Sequence, residues 1–125
     1  CALPISLDNG SACQLDVAGT YAYVMDTYGG MTIVDINDPL DLQIVGTEVN
    51  TGSAGRDVAV SGTYAYVADK NAGLVIVDIS DPANPSVLDP LPTADAANGV
   101  TLAGTSAYIA DYSAGLTIVD LWEEP

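Results

Sequence analysis

"GTYAYVADKNAGLVIVDI", residues 62–79, followed by "SDPANPSVLD", residues 80–89, holds the plan of the whole chain. Ser61, Gly62 and Thr63 reverse the chain between "DVAV" (57–60) and "YAYVA" (64–68), because glycine adopts the positive φ that a tight hairpin needs. Residues 69–73, "DKNAG", form a polar loop ending in glycine, suited to a longer hairpin. "LVIVDI" (74–79) is then a third strand, the Pro-rich 80–85 a corner, and "SVLD" (86–89) a fourth strand. The third strand is apolar without alternation, the pattern of a strand covered on both faces of its sheet. A helical reading fails, since β-branched residues crowd these segments and Gly or Pro interrupts them.

The same pattern recurs without a gap as "GTYAYVMDTYGGMTIVDI" (19–36) and "GTSAYIADYSAGLTIVDL" (104–121), the opening glycines lying 43 and then 42 residues apart. Four antiparallel strands in each unit of roughly 40 to 45 residues describe the blade of a β-propeller. The chain is therefore read as all-β: three repeats of about 42 residues, circularly permuted so that an outer strand comes first. The expected division is 1–12 as the fourth strand of a split blade, 13–53 as blade 1, 54–96 as blade 2 and 97–125 as a three-stranded blade 3.

Composition narrows the partners. Seventeen acidic residues stand against Arg56 and Lys70 alone, a formal charge of −15 over 125 residues, which repels a phosphate backbone or an anionic membrane surface. Nucleic acid is excluded on that ground. Hydrophobic residues make up 49% of the chain, so the acidity is not that of a disordered tail. No apolar run approaches the roughly 20 residues of a membrane-spanning helix. No basic-then-apolar segment opens the sequence, so a mature form, or one that never carried a signal, is expected.

Leu74, Val75, Ile76, Val77 and Asp78 spell LVIVD, with the variants "MTIVD" (31–35) and "LTIVD" (116–120). With "YAYVAD" (64–69) and "DISDPANP" (78–85), these residues make the chain resemble the LVIVD-repeat family over nearly its whole length. The resemblance implies a β-propeller of the kind found in bacterial and archaeal surface or secreted proteins, and brings no catalytic motif with it. Two departures stand out: "INDPLDLQIVG" (36–46) lacks the second proline of the corner, and "LWEEP" (121–125) takes the corner's place in the last unit.

Propellers close with about 4 to 8 blades, so three blades cannot close on themselves. From Gly104 across a junction to Gly19 of another copy is 40 residues, close to the internal spacing. The expectation is strand complementation. Pro4, Ile5, Ser6 and Leu7 of one copy would lie along Leu116, Thr117, Ile118, Val119, Asp120 and Leu121 of the next, with Trp122 as an anchor. Such a head-to-tail contact closes into a ring or runs on as a filament. The rival reading is an excerpt of a longer array in which neighbouring strands are covalently supplied.

Catalytic groups are thin: the chain has no His, and neither a nucleophile elbow nor a phosphate-binding loop is present. An enzyme is not expected, and neither is a cofactor. The recurring Asp26, Asp69 and Asp111, like Asp35, Asp78 and Asp120 with Asp38 and Asp81 behind them, read first as turn carboxylates accepting backbone N–H groups. The weaker reading is calcium, for which Asp26, Asp69 and Asp111 are the candidates. Tyr21, Tyr23, Tyr64, Tyr66 and Tyr108 follow period two and suit packing between blades. Cys1 and Cys13 could pair in an oxidising compartment, within or between chains, or Cys1 could carry a lipid. Asn9 opens a glycosylation triplet with Gly10 and Ser11. The functional expectation is a non-enzymatic, extracellular or cell-surface structural protein whose partner is itself. The alternative is a protein-, glycan- or calcium-binding propeller module of a larger surface protein.

Overall fold

A computed structural model describes residues 12–26, 30–38, 40–48, 55–70, 72–88 and 96–120. Its strands are β1 (Ala12–Ala18), β2 (Tyr21–Asp26), β3 (Gly30–Asp35), β4 (Gln43–Glu48), β5 (Gly55–Ser61), β6 (Tyr64–Asp69), β7 (Gly73–Asp78), β8 (Ser86–Val87), β9 (Gly99–Ala103), β10 (Ser106–Ala110) and β11 (Leu116–Asp120). They form three antiparallel sheets, β1-β2-β3-β4, β5-β6-β7-β8 and β9-β10-β11, one for each repeat. The first hairpin of each is turned by Gly19, Gly62 or Gly104, at φ 63°, 61° and 61°. A Cβ at any of the three would meet nothing within 4 Å, so glycine is there for its backbone freedom and not for lack of space.

The corners show which letters matter. Asp41 N–H donates to the Asp38 carbonyl and Asn84 N–H to the Asp81 carbonyl, both at 2.9 Å. Beneath these bonds Asp38 Oδ1 accepts Leu40 N–H at 2.9 Å, and Asp81 Oδ1 accepts Ala83 N–H at 3.1 Å. Asp35 and Asp78, at the ends of β3 and β7, accept the N–H two residues on, each at 2.9 Å. The first unit thus turns like the second without its second proline, because a short carboxylate folding onto the following amides is enough to define the corner.

The second hairpin of the last unit carries a short helical turn. After β10 the chain makes a 3-10 turn at Tyr112–Ala114, with Tyr112 at φ 44°, before Gly115 leads into β11. The fourth strand of the second sheet is described as far as Leu88. Among its described residues only Ser86–Val87 is strand, although Leu88 N–H still reaches the Ile76 carbonyl at 2.8 Å.

The core lies between the sheets. Tyr23, Met25, Met31 and Ile33 of the first sheet pack on Val58, Val67, Val75 and Val77 of the second. Tyr66, Ala68 and Leu74, on the other face of the second sheet, pack on Val100, Ala107 and Ile109 of the third. The unbroken apolar run of β7 is explained by this arrangement, since its alternate residues face opposite neighbours. The sheets approach most closely along their first strands, β1 beside β5 and β5 beside β9. Two carboxylates clip these strands together. Asp16 Oδ2 accepts Val60 N–H at 2.8 Å, and Asp57 Oδ2 accepts Val100 N–H at 3.1 Å.

Candidate functional site

Repeats make every position comparable with its counterparts. Met31, Ile33 and Leu74 are completely buried against the next sheet. Their counterparts in β11 are Leu116 and Ile118, which stand 62% and 57% exposed. Tyr108, the counterpart of buried Tyr23 and Tyr66, is only half-buried. At the opposite end Leu15, Val17 and Ile44 occupy the places that Val58, Val60 and Val87 hold in the second sheet. Val58 is 4% exposed, whereas Leu15, Val17 and Ile44 are 57%, 52% and 49% exposed. The two ends therefore present the two halves of the apolar contact that the interior makes twice.

Of the residues expected to accept a strand, Leu116 to Asp120 lie among the described ones. Leu116, Thr117, Ile118, Val119 and Asp120 form β11, at the margin of its sheet, and among the described residues no strand lies beyond it. In the other two sheets a fourth strand occupies that position. Thr117 and Val119 turn back toward the second sheet and are half-buried. Leu121 and Trp122, the donor residues Pro4, Ile5, Ser6 and Leu7, and Cys1 and Asn9 all lie outside the described residues. Cys13 sits in β1 where the pairing with β2 shifts register between Ala12 and Gln14.

Of the calcium candidates, Asp69 and Asp111 are fully buried and belong to different sheets. Asp69 Oδ1 accepts Ala72 N–H at 2.8 Å, closing the second hairpin of its blade. Asp111 Oδ2 accepts the Thr117 hydroxyl at 2.7 Å. The side chain of Asp26 lies outside the description. Among the described residues no three His, Cys, Asp or Glu side chains are grouped to hold a metal ion.

The LVIVD repeat model matches residues 9–51, 51–89 and 94–121. The chain belongs to the LVIVD-repeat family. Its LVIVD units are β-propeller blades, and the chain is a β-propeller repeat module. Among solved structures it is similar to the crystal structure of a computationally designed protein, Ika4, with a TM-score of 0.70 over 86% of this chain. Identity to that protein is 10%, so the likeness concerns the fold, and the chain spans 64% of that protein's length. No curated protein matches the chain.

One constellation escapes a search for motifs. Arg56 and Lys70, the only basic residues in the sequence, line a common cleft with Ala96, Asn98 and Tyr112. The signal for it lay in the places where the LVIVD units differ, since their shared letters belong to turns and packing.

Proposed function

We propose that this chain is a non-enzymatic, extracellular structural protein whose blades stack head to tail between copies. The β11 face of one copy, with Leu116 and Ile118, docks on the β1 face of the next, with Leu15, Val17 and Ile44. Residues 4–7 of that next copy lie along the open edge of β11. One observation carries the reading: the side chains left exposed at the two ends hold repeat positions whose counterparts are buried or half-buried between the sheets. Burying two such aliphatic side chains is worth roughly 1.5 to 3 kcal/mol each, and pairing the β11 edge removes a row of open backbone groups. The contact is heterologous, so it propagates until it closes. The extracellular placement rests on the kind of protein the family contains, together with Asn9 and the cysteine pair.

Light scattering coupled to size-exclusion chromatography tests the proposal. Oligomers that revert to monomers on Ile118→Lys, and on deletion of residues 1–7, are expected. A wild-type chain that remains monomeric at high concentration overturns it and favours the second reading, in which covalently linked LVIVD blades of a longer array cover the same two faces.

A further inference from the structure

Two carboxylates act alike at the two successive contacts between blades. Asp16 Oδ1 accepts Val17 N–H at 3.0 Å in its own strand, and its Oδ2 accepts Val60 N–H at 2.8 Å in the next sheet. Asp57 Oδ1 accepts Val58 N–H at 2.9 Å, and its Oδ2 accepts Val100 N–H at 3.1 Å. The strand registers make this a rule of the repeat. Asp16, Ala59 and Thr101 pair with Tyr23, Tyr66 and Tyr108, while Gln14, Asp57 and Gly99 pair with Met25, Ala68 and Ala110. Val60 is therefore the counterpart of Val17, and Val100 of Val58. Each carboxylate bonds the amide of one repeat position twice, once in its own blade and once in the blade that follows.

The position facing each carboxylate in the following blade is small and uncharged: Ala59 after Asp16, and Gly99 after Asp57. A Cβ on Gly99 would lie 3.7 Å from Asp57 Oδ2, so equivalent positions of adjacent blades come within contact. The remaining internal neighbours are Gln14 with Asp57 and Ala59 with Thr101, so two acids oppose each other at neither contact. The avoidance has a physical cause, since like charges set against each other work against docking. Asp16 and Asp57 are half-buried, whereas Thr101 is exposed in β9, with no further blade beside it among the described residues.

We infer that Thr101 of one copy meets Asp16 of the next and donates its hydroxyl to that carboxylate, so that this pair decides which blade can follow the third. The inference rests on the head-to-tail stacking proposed above. Continuing the repeat past the third blade sets β9 beside β1 of the next copy, with Thr101 opposite Asp16 and Gly99 opposite Gln14. Each Asp16 oxygen accepts one amide, and a carboxylate oxygen has room for a second donor. Threonine is a neutral donor, so a chain carrying −15 closes this contact without opposing two acids. The contact between copies then differs in kind from those within a copy. Positions 99 and 101 hold Gly and Thr, so no carboxylate of β9 reaches forward to the amides of β1. It is accordingly the weakest of the blade contacts, and copies separate before blades do.

Light scattering of the full chain over a concentration series tests the pair. Thr101→Asp sets two carboxylates against each other and is expected to weaken association about tenfold. Thr101→Lys is expected to strengthen it about threefold. Thr63→Lys makes the same change of charge at an exposed turn of the middle blade, and the gain must exceed whatever that variant gives. In Asp16→Asn the gain from Thr101→Lys is expected to vanish. Thr101 is exposed, so its variants keep the fold of the single copy, which unchanged urea midpoints verify. A native chain that is monomeric, yet associates on Thr101→Lys and not on Thr63→Lys, also supports the pair. If the native chain associates and Ile118→Lys disperses it, while both Thr101 variants match the native mass, the pairing is overturned and the stacking stands. If every variant stays monomeric, Thr101→Lys included, both are overturned.

Discussion

Tyr23 and Tyr66 sit in the two internal interfaces, each tilted against a companion, Tyr21 or Tyr64, with ring centroids 6.4 Å apart. Burial first, and the charge of the companion phenol second, pushes both above the ordinary value of 10.0. In the unfolded chain these phenols ionise at the ordinary value, while the folded chain still holds their protons. Their contribution to stability is therefore complete below about pH 10 and is lost as pH climbs through the raised folded values. Urea midpoints measured on either side of about pH 10 should fall steeply for the native chain and less steeply for Tyr23→Phe with Tyr66→Phe. Equal slopes would remove burial of the phenols as the cause. The interior role of these tyrosines was legible from their period-two spacing in "YAYV". The roles of Asp16 and Asp57 were not, since each carboxylate bonds a residue 44 or 43 positions away on the neighbouring sheet, a distance no local pattern encodes.

Strands show the same division between local and non-local causes. β3 and β7 are almost wholly buried and β11 alternates between exposed and half-buried, yet all three read as similar apolar runs. Their letters report which element forms, and only the presence of a neighbouring sheet decides what it buries. β4 shows how closely the outer parts of adjacent blades can fit. A Cβ on Gly46 would press into the Pro82 carbonyl oxygen, well inside contact distance, and lie 3.2 Å from Pro85 Cδ. The obstacle is backbone at the corner of the next repeat, which cannot swing aside as a side chain could. Gly46→Ala should cost about 1 to 3 kcal/mol, read as a lower denaturant midpoint, although alanine elsewhere in a strand would be neutral or helpful. An unchanged midpoint would mean that β4 does not rest on that corner. Nothing in "QIVGTE" foretells this constraint, because the clash is with residues more than thirty positions away.

At the scale of the whole molecule, charge and apolar stacking oppose each other. Each copy carries −15, while the faces proposed to meet offer Leu116 and Ile118 to Leu15, Val17 and Ile44, with no ion pair among those residues. Approach of two copies is therefore resisted by long-range repulsion and favoured by contact that salt does not screen. Raising the ionic strength from about 0.01 M to about 1 M shortens the screening length from roughly 30 Å to roughly 3 Å. Association should strengthen across that range, with the mean mass by light scattering rising as salt is added. An interface built on ion pairs would weaken instead, and that result would exclude the apolar stack.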